Sequence, residues 1–302
     1  MSPAAPSVAG ANRPVDLVVV GAMLSDVGLV RSINEDSVTF VVPSEGQDPE
    51  NRNGILLVAD GMGGHSAGEV ASAIAAEVVR RCFFELKGAV PDILATAFAA
   101  ANKAIFDYGQ EHPECAGMGT TCTALAIRSD KVWLGHVGDS RAYLLRRGEL
   151  RQLSEDQTLV AKMVREGTMT PAEAKTSEYN NIILQALGTS PEVDPEIWSD
   201  GLQLSTGDTL LLCSDGLHGL VDDVVIAEVA GRYPPAEACQ ELIKQALRAG
   251  GHDNVSVGIF RAIAPAEATS RAAHDTRRIP AMGDMDERAA DVSTRILSAF
   301  KN

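Results

Sequence analysis

The chain is short of the features that would place it in several large functional classes. It has no C-x-x-C pair: its five cysteines, Cys82, Cys115, Cys122, Cys213 and Cys239, are scattered and odd in number. That usage suits small thiols buried in a reducing compartment rather than a disulfide framework. No run approaches the roughly eighteen apolar residues of a membrane span. The apolar stretch 17–24 follows Asp16 without a basic n-region, so no secretory leader is expected either. Positive charge is also in deficit, with 26 basic against 41 acidic side chains and a formal charge of −15. Such a balance argues against a nucleic-acid or anionic-membrane surface. There is no internal repeat. What remains, 302 residues with 45% hydrophobic and 22% charged, suits one large or two small globular domains. A cytoplasmic protein is expected.

Residues 1–14 are small and proline-bearing and read as a disordered lead-in. From Val15 the pattern turns strand-like in LVVVGAM, SVTFVV and ILLVAD. A helix over 68–86 follows from Val70, Ile74, Val78 and Cys82, and a second over 91–108 opens on proline and carries Leu94, Phe98, Ala101, Ile105 and Tyr108. TCTALAIR, KVWLGHV and RAYLLRR then have the spacing of an antiparallel meander. Residues 154–190 are an irregular flap-like excursion with a helical piece, DQTLVAKMVREG, and a capping signal at Thr170-Pro171-Ala172-Glu173. The strand TLLLCSD, helices near 221–230 and 235–249, and the strand NVSVGIF complete a domain over 15–263. Clustered strands and paired helices predict an α+β layered fold. The tail, 264–302, is poorer in apolar residues, with one short helical candidate in ADVSTRILSAF.

VADGMGGHSAGE, residues 58–69, joins a strand to a helix through glycines, as phosphate cradles do. Neither familiar cradle fits. A dinucleotide fingerprint from Gly61 meets Ser66 where glycine is needed, and a P-loop from Gly63 to Gly68 meets Glu69 in place of lysine. A carboxylate there repels phosphate, so phosphate chemistry at this loop calls for a cation between them, held by Asp60.

Asp60 has counterparts. Asp139 follows WLGHVG, Asp215 follows LLLCS, Asp253 precedes NVSVGIF, and Asn34-Glu35-Asp36 lies between two strands. One such Asp-Gly is ordinarily a turn, but five acidic strand ends call for a common explanation. Gathered side by side they would repel unless divalent cations compensated. Oxygen ligands without clustered His or Cys suit Mg²⁺ or Mn²⁺ rather than zinc. A glycine after the aspartate leaves a backbone carbonyl free to reach a metal, and a carboxylate bridging two ions would help deprotonate a water for attack on phosphorus. Asp60 is the candidate bridge. Arg31, three residues before the acidic triplet, offers a planar fork for free phosphate oxygens, although alone it reads equally as a surface arginine.

In order along 16–260, RSINEDS, VADGMGGHSAGE, GTTCTAL, HVGDSRAYLLRRG, LSEDQT, EGTMTPAEA, NIILQALG, CSDGL and HDNVSV match one family. The chain resembles the metal-dependent protein serine/threonine phosphatases of the protein phosphatase 2C (PPM) class, in its bacterial subgroup. The resemblance implies a four-layer αββα sandwich, two antiparallel sheets flanked by helix pairs, with metals in a cleft at one end. It implies that Asp60 bridges two Mn²⁺ or Mg²⁺ ions, that the Gly61 carbonyl binds one, and that Asp215 and Asp253 hold the other. Glu35 and Asp36 would bind directly or through water, Asp139 would help hold a third ion, Arg31 would bind phosphate, and Asn254 would orient the neighbouring aspartate.

The implied activity is hydrolysis of phosphoserine and phosphothreonine by direct attack of a metal-activated water, with phosphorylated proteins as substrates, a cognate serine/threonine kinase as counterpart, and a monomeric enzyme. The chain departs from the family at three points. Met62 stands where many eukaryotic members carry a proton-donating histidine, leaving His65 as a substitute acid or a structural loop residue; Gln157 replaces a histidine, and His252 a glycine. A catalytically silent phosphoprotein-binding regulator is the alternative, opposed by the retention of Asp36, Asp60, Asp215 and Asp253. Thiol catalysis is opposed too: only Cys122 has an arginine, Arg128, at the C-x₅-R spacing, and it sits in a strand-like run.

Overall fold

The computed structural model describes residues 17–41, 53–63 and 67–264. The lead-in 1–14 and, apart from Ala264, the C-terminal tail lie outside these residues. In chain order the elements are β1 (Val18–Asp26), β2 (Asp36–Val41), β3 (Asn53–Met62), α1 (Ala67–Glu85) and α2 (Val90–Glu111). Next come β4 (Gly119–Thr120), β5 (Cys122–Arg128), β6 (Lys131–Val137), β7 (Arg141–Arg146), β8 (Glu149–Gln152), α3 (Leu159–Arg165) and α4 (Pro171–Lys175). The chain continues through β9 (Glu196–Ile197), β10 (Leu202–Gln203), β11 (Thr209–Cys213), α5 (Asp215–His218), α6 (Asp223–Arg232), α7 (Pro235–Arg248) and β12 (Val255–Ile263).

The strands form two antiparallel sheets. One runs β1-β12-β11-β7-β8; the other runs β10-β6-β5-β3-β2, with β4 on β3 and β9 on β6. Strand residues alternate between two cores, which explains why the sequence shows unbroken apolar runs rather than a polar face. Ile55, Leu57 and Ala59 of β3 pack with Ala124 and Ala126 of β5 against α1 and α2, while Leu56, Val58, Leu125 and Ile127 face the other sheet. Likewise Leu211, Val257 and Ile259 meet α6 and α7, whereas Leu210, Leu212 and Phe260 turn inward between the sheets. Helix pairs therefore cover both outer faces of two stacked sheets. This is the expected αββα sandwich.

The helices arise as their patterns require. Ile74, Val78 and Cys82 of α1 and Leu94, Phe98, Ala101 and Ile105 of α2 are fully buried, and Pro91 lies in the first turn of α2, where a missing N–H costs nothing. Thr170 and Glu173 close a reciprocal capping box on α4. One expectation needs correction. β5 and β6 pair as a hairpin, but β7 does not continue their meander; it crosses to the other sheet and pairs with β11 and β8. The small residues Gly138, Asp139 and Ser140 between β6 and β7 make that crossing, and a change of sheet cannot be distinguished from a tight turn by local sequence alone.

The 154–190 segment lies between β8 and β9 and carries α3 and α4. It is pinned at its beginning and end by Leu159 N–H on the Ile182 carbonyl, Leu184 N–H on the Gln157 carbonyl, and a two-way pairing of Leu187 with Thr120. Between these points α4 buries nothing.

Candidate metal centre

Antiparallel order brings the acidic strand ends together. β2 begins where β3 ends, β6 ends beside the start of β5, and β11 ends where β12 begins, so Asp36, Asp60, Asp139, Asp215 and Asp253 all emerge at one end. Asp36 and Asp60 are direct cross-strand partners. Such neighbours lie about 5 Å apart and repel when both are ionised.

The local fold holds each acid by its small neighbours. Asp60 N–H donates to Thr121 Oγ1 (3.0 Å), and the Asp60 carbonyl accepts from Thr121 N–H (2.9 Å). Thr121 Oγ1 lies 2.9 Å from Ser140 Oγ, next to Asp139. Ser214 Oγ donates to Asp36 Oδ2 (2.8 Å) and itself accepts from Ser256 N–H (2.9 Å). His218, kept neutral by burial that lowers its pKa to about 4, donates from Nε2 to the Asp139 carbonyl at 3.0 Å. Thr121, Ser140, Ser214, Ser256 and His218 were missed by sequence reasoning; Ser140, Ser214, Ser256 and His218 lie within three residues of an aspartate, whereas Thr121 in GTT is near none in the chain and meets Asp60 only through strand pairing.

Two glycines of the loop have a steric task. A β-carbon on Gly61 would lie 2.1 Å from the Gly68 carbonyl oxygen and 2.6 Å from that of Glu35; one on Gly68 would lie 2.5 Å from Glu35 Oε1. The end of β3, the head of α1 and the acidic triplet are thus in backbone contact, tied by Gly61 N–H to the Glu35 carbonyl (3.1 Å). Their glycines admit protein backbone as well as leaving space for a ligand.

The electrostatics are those of like charges held out of water. Burial, then the charges of Asp36, Asp215, Asp139 and Asp253, pushes the Asp60 carboxyl well above its usual range. Burial raises Asp36 to about 7 against the hydrogen bonds of Ser256 and Ser214. Asp139 is likewise raised to about 7 by burial and by Asp215. Asp215, within hydrogen-bonding reach of Asp60, moves up through burial and Asp253. Glu35 rises by burial, opposed by Arg31 and the Gly68 N–H. Glu35 Oε1, Asp36 Oδ1 and Asp215 Oδ1 are buried without a hydrogen-bond partner. Among the described residues no three His, Cys, Asp or Glu side chains form a ready-made metal cage. The donor set still fits hard divalent cations: orphaned carboxylate oxygens and a repulsion that added positive charge relieves.

Arg31 sits on the rim, with Nη2 donating to Asp253 Oδ2 at 2.7 Å and Nη1 3.8 Å from Glu35 Oε2. Its side chain stays 47% exposed, so part of the fork faces outward. Asn254 touches Asp253 through its backbone, N–H to Oδ1 at 2.8 Å. Its side chain does something else: Oδ1 accepts from Glu35 N–H, and Nδ2 donates to the Val27 and Ile33 carbonyls at 2.8–3.0 Å. It staples the Arg31 loop to β12. Asn254→Ala is therefore expected to lose about 2–4 kcal/mol of stability, since three mostly buried backbone groups lose partners. Urea unfolding of the variant checks this, and a loss under about 0.5 kcal/mol would refute the staple.

His65 lies outside the described residues. Gln157 grips Gly138 twice, its N–H on the Gly138 carbonyl (2.8 Å) and its Oε1 accepting from Gly138 N–H (3.0 Å). His252 is exposed. All five cysteines are buried and none is in a disulfide, and burial pushes the Cys122 thiol far up. Cys122 and Arg128 occupy the two ends of β5, which removes the thiol alternative.

The chain matches the family Protein phosphatase 2C over residues 32–251. It is 42% identical over 246 residues to the serine/threonine protein phosphatase PstP of Mycobacterium tuberculosis, covering 80% of this chain and 45% of that protein. The chain thus matches under half the length of that relative. It is 34% identical over 243 residues to the protein phosphatase PhpP of Streptococcus pneumoniae, covering 79% and 95% respectively. The crystal structure of the PstP catalytic domain in complex with two manganese ions superposes with a TM-score of 0.71 at 40% identity, covering 82% of this chain and 99% of that one. Motif order, sandwich and carboxylate end agree with these likenesses: the chain belongs to the protein phosphatase 2C family.

Proposed function

We propose that the chain is a metal-dependent phosphatase of phosphoserine and phosphothreonine in proteins, opposing a bacterial serine/threonine kinase. The observation that carries this reading is the set of buried, mutually repelling carboxylates with three orphaned oxygens beside an outward-facing arginine. Asp60 and the Gly61 carbonyl, with Asp215, Asp253, Asp36 and Glu35, would hold two Mn²⁺ or Mg²⁺ ions, and Asp139 would help hold a third. Bound there, such ions supply a lowered pKa for water and positive charge for the phosphate.

The chain's own residues do the rest. Arg31 orients free phosphate oxygens with two of its N–H groups. Asn254 fixes the loop that carries Arg31, Thr121 backed by Ser140 holds the Asp60 backbone, and Ser214 holds the Asp36 carboxylate. We take residues 15–263 as the catalytic unit, 154–190 as its flap, and the protein as a cytoplasmic monomer; among the described residues no helix is long and apolar enough to cross a membrane. With Mn²⁺ the full chain is expected to release phosphate from a phosphothreonine peptide. EDTA should abolish release, and Arg31→Ala should lower kcat/KM by about 10²-fold. Full activity in EDTA would overturn the reading.

A further inference from the structure

Ten large apolar side chains are exposed among the described residues, and seven of them lie on the two segments that border the carboxylate end. Val27, Leu29, Val30 and Ile33 belong to the β1–β2 loop that carries Arg31, with Leu29 and Val30 66% and 67% exposed. Tyr179, Ile182 and Leu184 belong to the flap. Exposed apolar residues scattered singly carry no meaning, but two runs of them on segments anchored beside one carboxylate end mark a binding surface.

Both ridges are anchored rather than loose. Leu29 N–H donates to the Gly251 carbonyl at 2.8 Å, and Arg31 is fixed on Asp253. On the flap, Ile182 and Leu184 are hydrogen-bonded through Leu159 and Gln157, and Gln157 is clamped on Gly138 beside Asp139. The β1–β2 loop crosses between the sheets at the β1 and β2 edges, whereas Gly138 crosses between β6 and β7, three strands along each sheet. At about 4.8 Å per strand the anchors stand about 14 Å apart, the span of roughly four residues of extended chain.

We propose that the two ridges form an apolar cradle selecting phosphoprotein segments with large apolar side chains within about four residues of the phosphorylated residue. The proposal rests on the phosphatase reading above and names the substrate class of that site. The occupant follows from position and charge. Val30 adjoins Arg31 in the chain, so a segment that brings phosphate to the guanidinium lies against the β1–β2 ridge and reaches the flap ridge about four extended residues further along. A chain of net charge −15, with Asp26 at the foot of the same loop, disfavours acidic flanks.

The test uses the full chain with Mn²⁺ and two phosphothreonine peptides of equal length and charge, one with leucine and valine at the second and third flanking positions, the other with serine and glutamine. The apolar peptide is expected to show about tenfold higher kcat/KM, chiefly through KM. The double substitution Leu29→Ser and Ile182→Ser should bring the ratio between peptides close to one; because both peptides are compared on the same variant, any change in basal turnover cancels. Fluorescence anisotropy of the labelled peptides on the protein reads the same preference without turnover, so loss of the phosphatase reading and loss of the cradle are separable. Equal kcat/KM and equal binding of the two peptides by the parent protein, or an undiminished ratio in the double variant, would overturn the proposal.

Discussion

Replacing Asp60 by asparagine is expected to lower phosphate release by about 10³-fold or more while making the metal-free protein more stable at neutral pH. The first effect follows from removing the charge on which two ions would share a ligand, a loss comparable to or larger than that of one preorganised charge-stabilising group. The second follows from the surroundings of Asp60: burial, then Asp36 across the strand pair, and Asp215, Asp139 and Asp253 around it, all raise its pKa and so disfavour its charged form. Asparagine keeps the shape and removes the repulsion. A gain of about 1–3 kcal/mol, or several degrees in Tm in EDTA, is expected at pH 7.5. Melting curves with EDTA, alongside phosphate release with Mn²⁺, read both effects on one preparation. A variant that is less stable than the parent in EDTA would show that the carboxylates are not in conflict. Parent-like turnover would remove Asp60 from the site.

The stabilisation conferred by Mn²⁺ is expected to grow steeply between pH 5 and pH 8. Asp36 and Asp139 ionise near pH 7 in the folded metal-free chain, against an ordinary value of 3.8. Below about pH 4 both folded and unfolded chains hold these protons, and nothing is lost. Between about pH 4 and 7 the unfolded chain gives them up first, so the folded state loses on the order of a few kcal/mol, the loss being complete above pH 7. His136 and His218 oppose this profile. Burial lowers each to about 4, so protonation of the unfolded chain destabilises the fold as pH falls below 6.5. These histidine contributions are common to metal-free and metal-loaded protein and cancel in the difference. The readout is therefore the Tm with Mn²⁺ minus the Tm with EDTA at each pH. A difference that is flat from pH 5 to 8 would mean that the carboxylates are relieved by something other than a cation.

Much of this was legible along the chain. Period-four stripes fixed α1 and α2, the Thr170 to Glu173 spacing fixed a capping box, and each aspartate could be placed at a strand end by the apolar run beside it. Legibility failed where a partner is distant in sequence. RAYLLRR reads as the third strand of a meander because strand residues carry no mark of which sheet they join, and β7 belongs to the other sheet. Asn254 reads as a neighbour of Asp253, yet its side chain serves residues 27–35, more than two hundred positions away. The glycines of VADGMGGHSAGE read as room for a ligand, whereas Gly61 and Gly68 are also required by the close approach of backbone from α1 and from Glu35.

What the sequence by itself determined is local chemistry: which segments are strands buried on both faces, which helices have one apolar stripe, which acids sit among small residues, and, through motif order, the family. What only the tertiary structure decided is convergence. Antiparallel pairing of strands far apart in the chain turns five separate turn-like aspartates into one end of a sandwich, sets Asp36 opposite Asp60, and lays Arg31 on Asp253. The reason is that hydrogen-bond register and sheet membership depend on long-range pairing free energy, whereas propensity and periodicity report only on each segment's own burial.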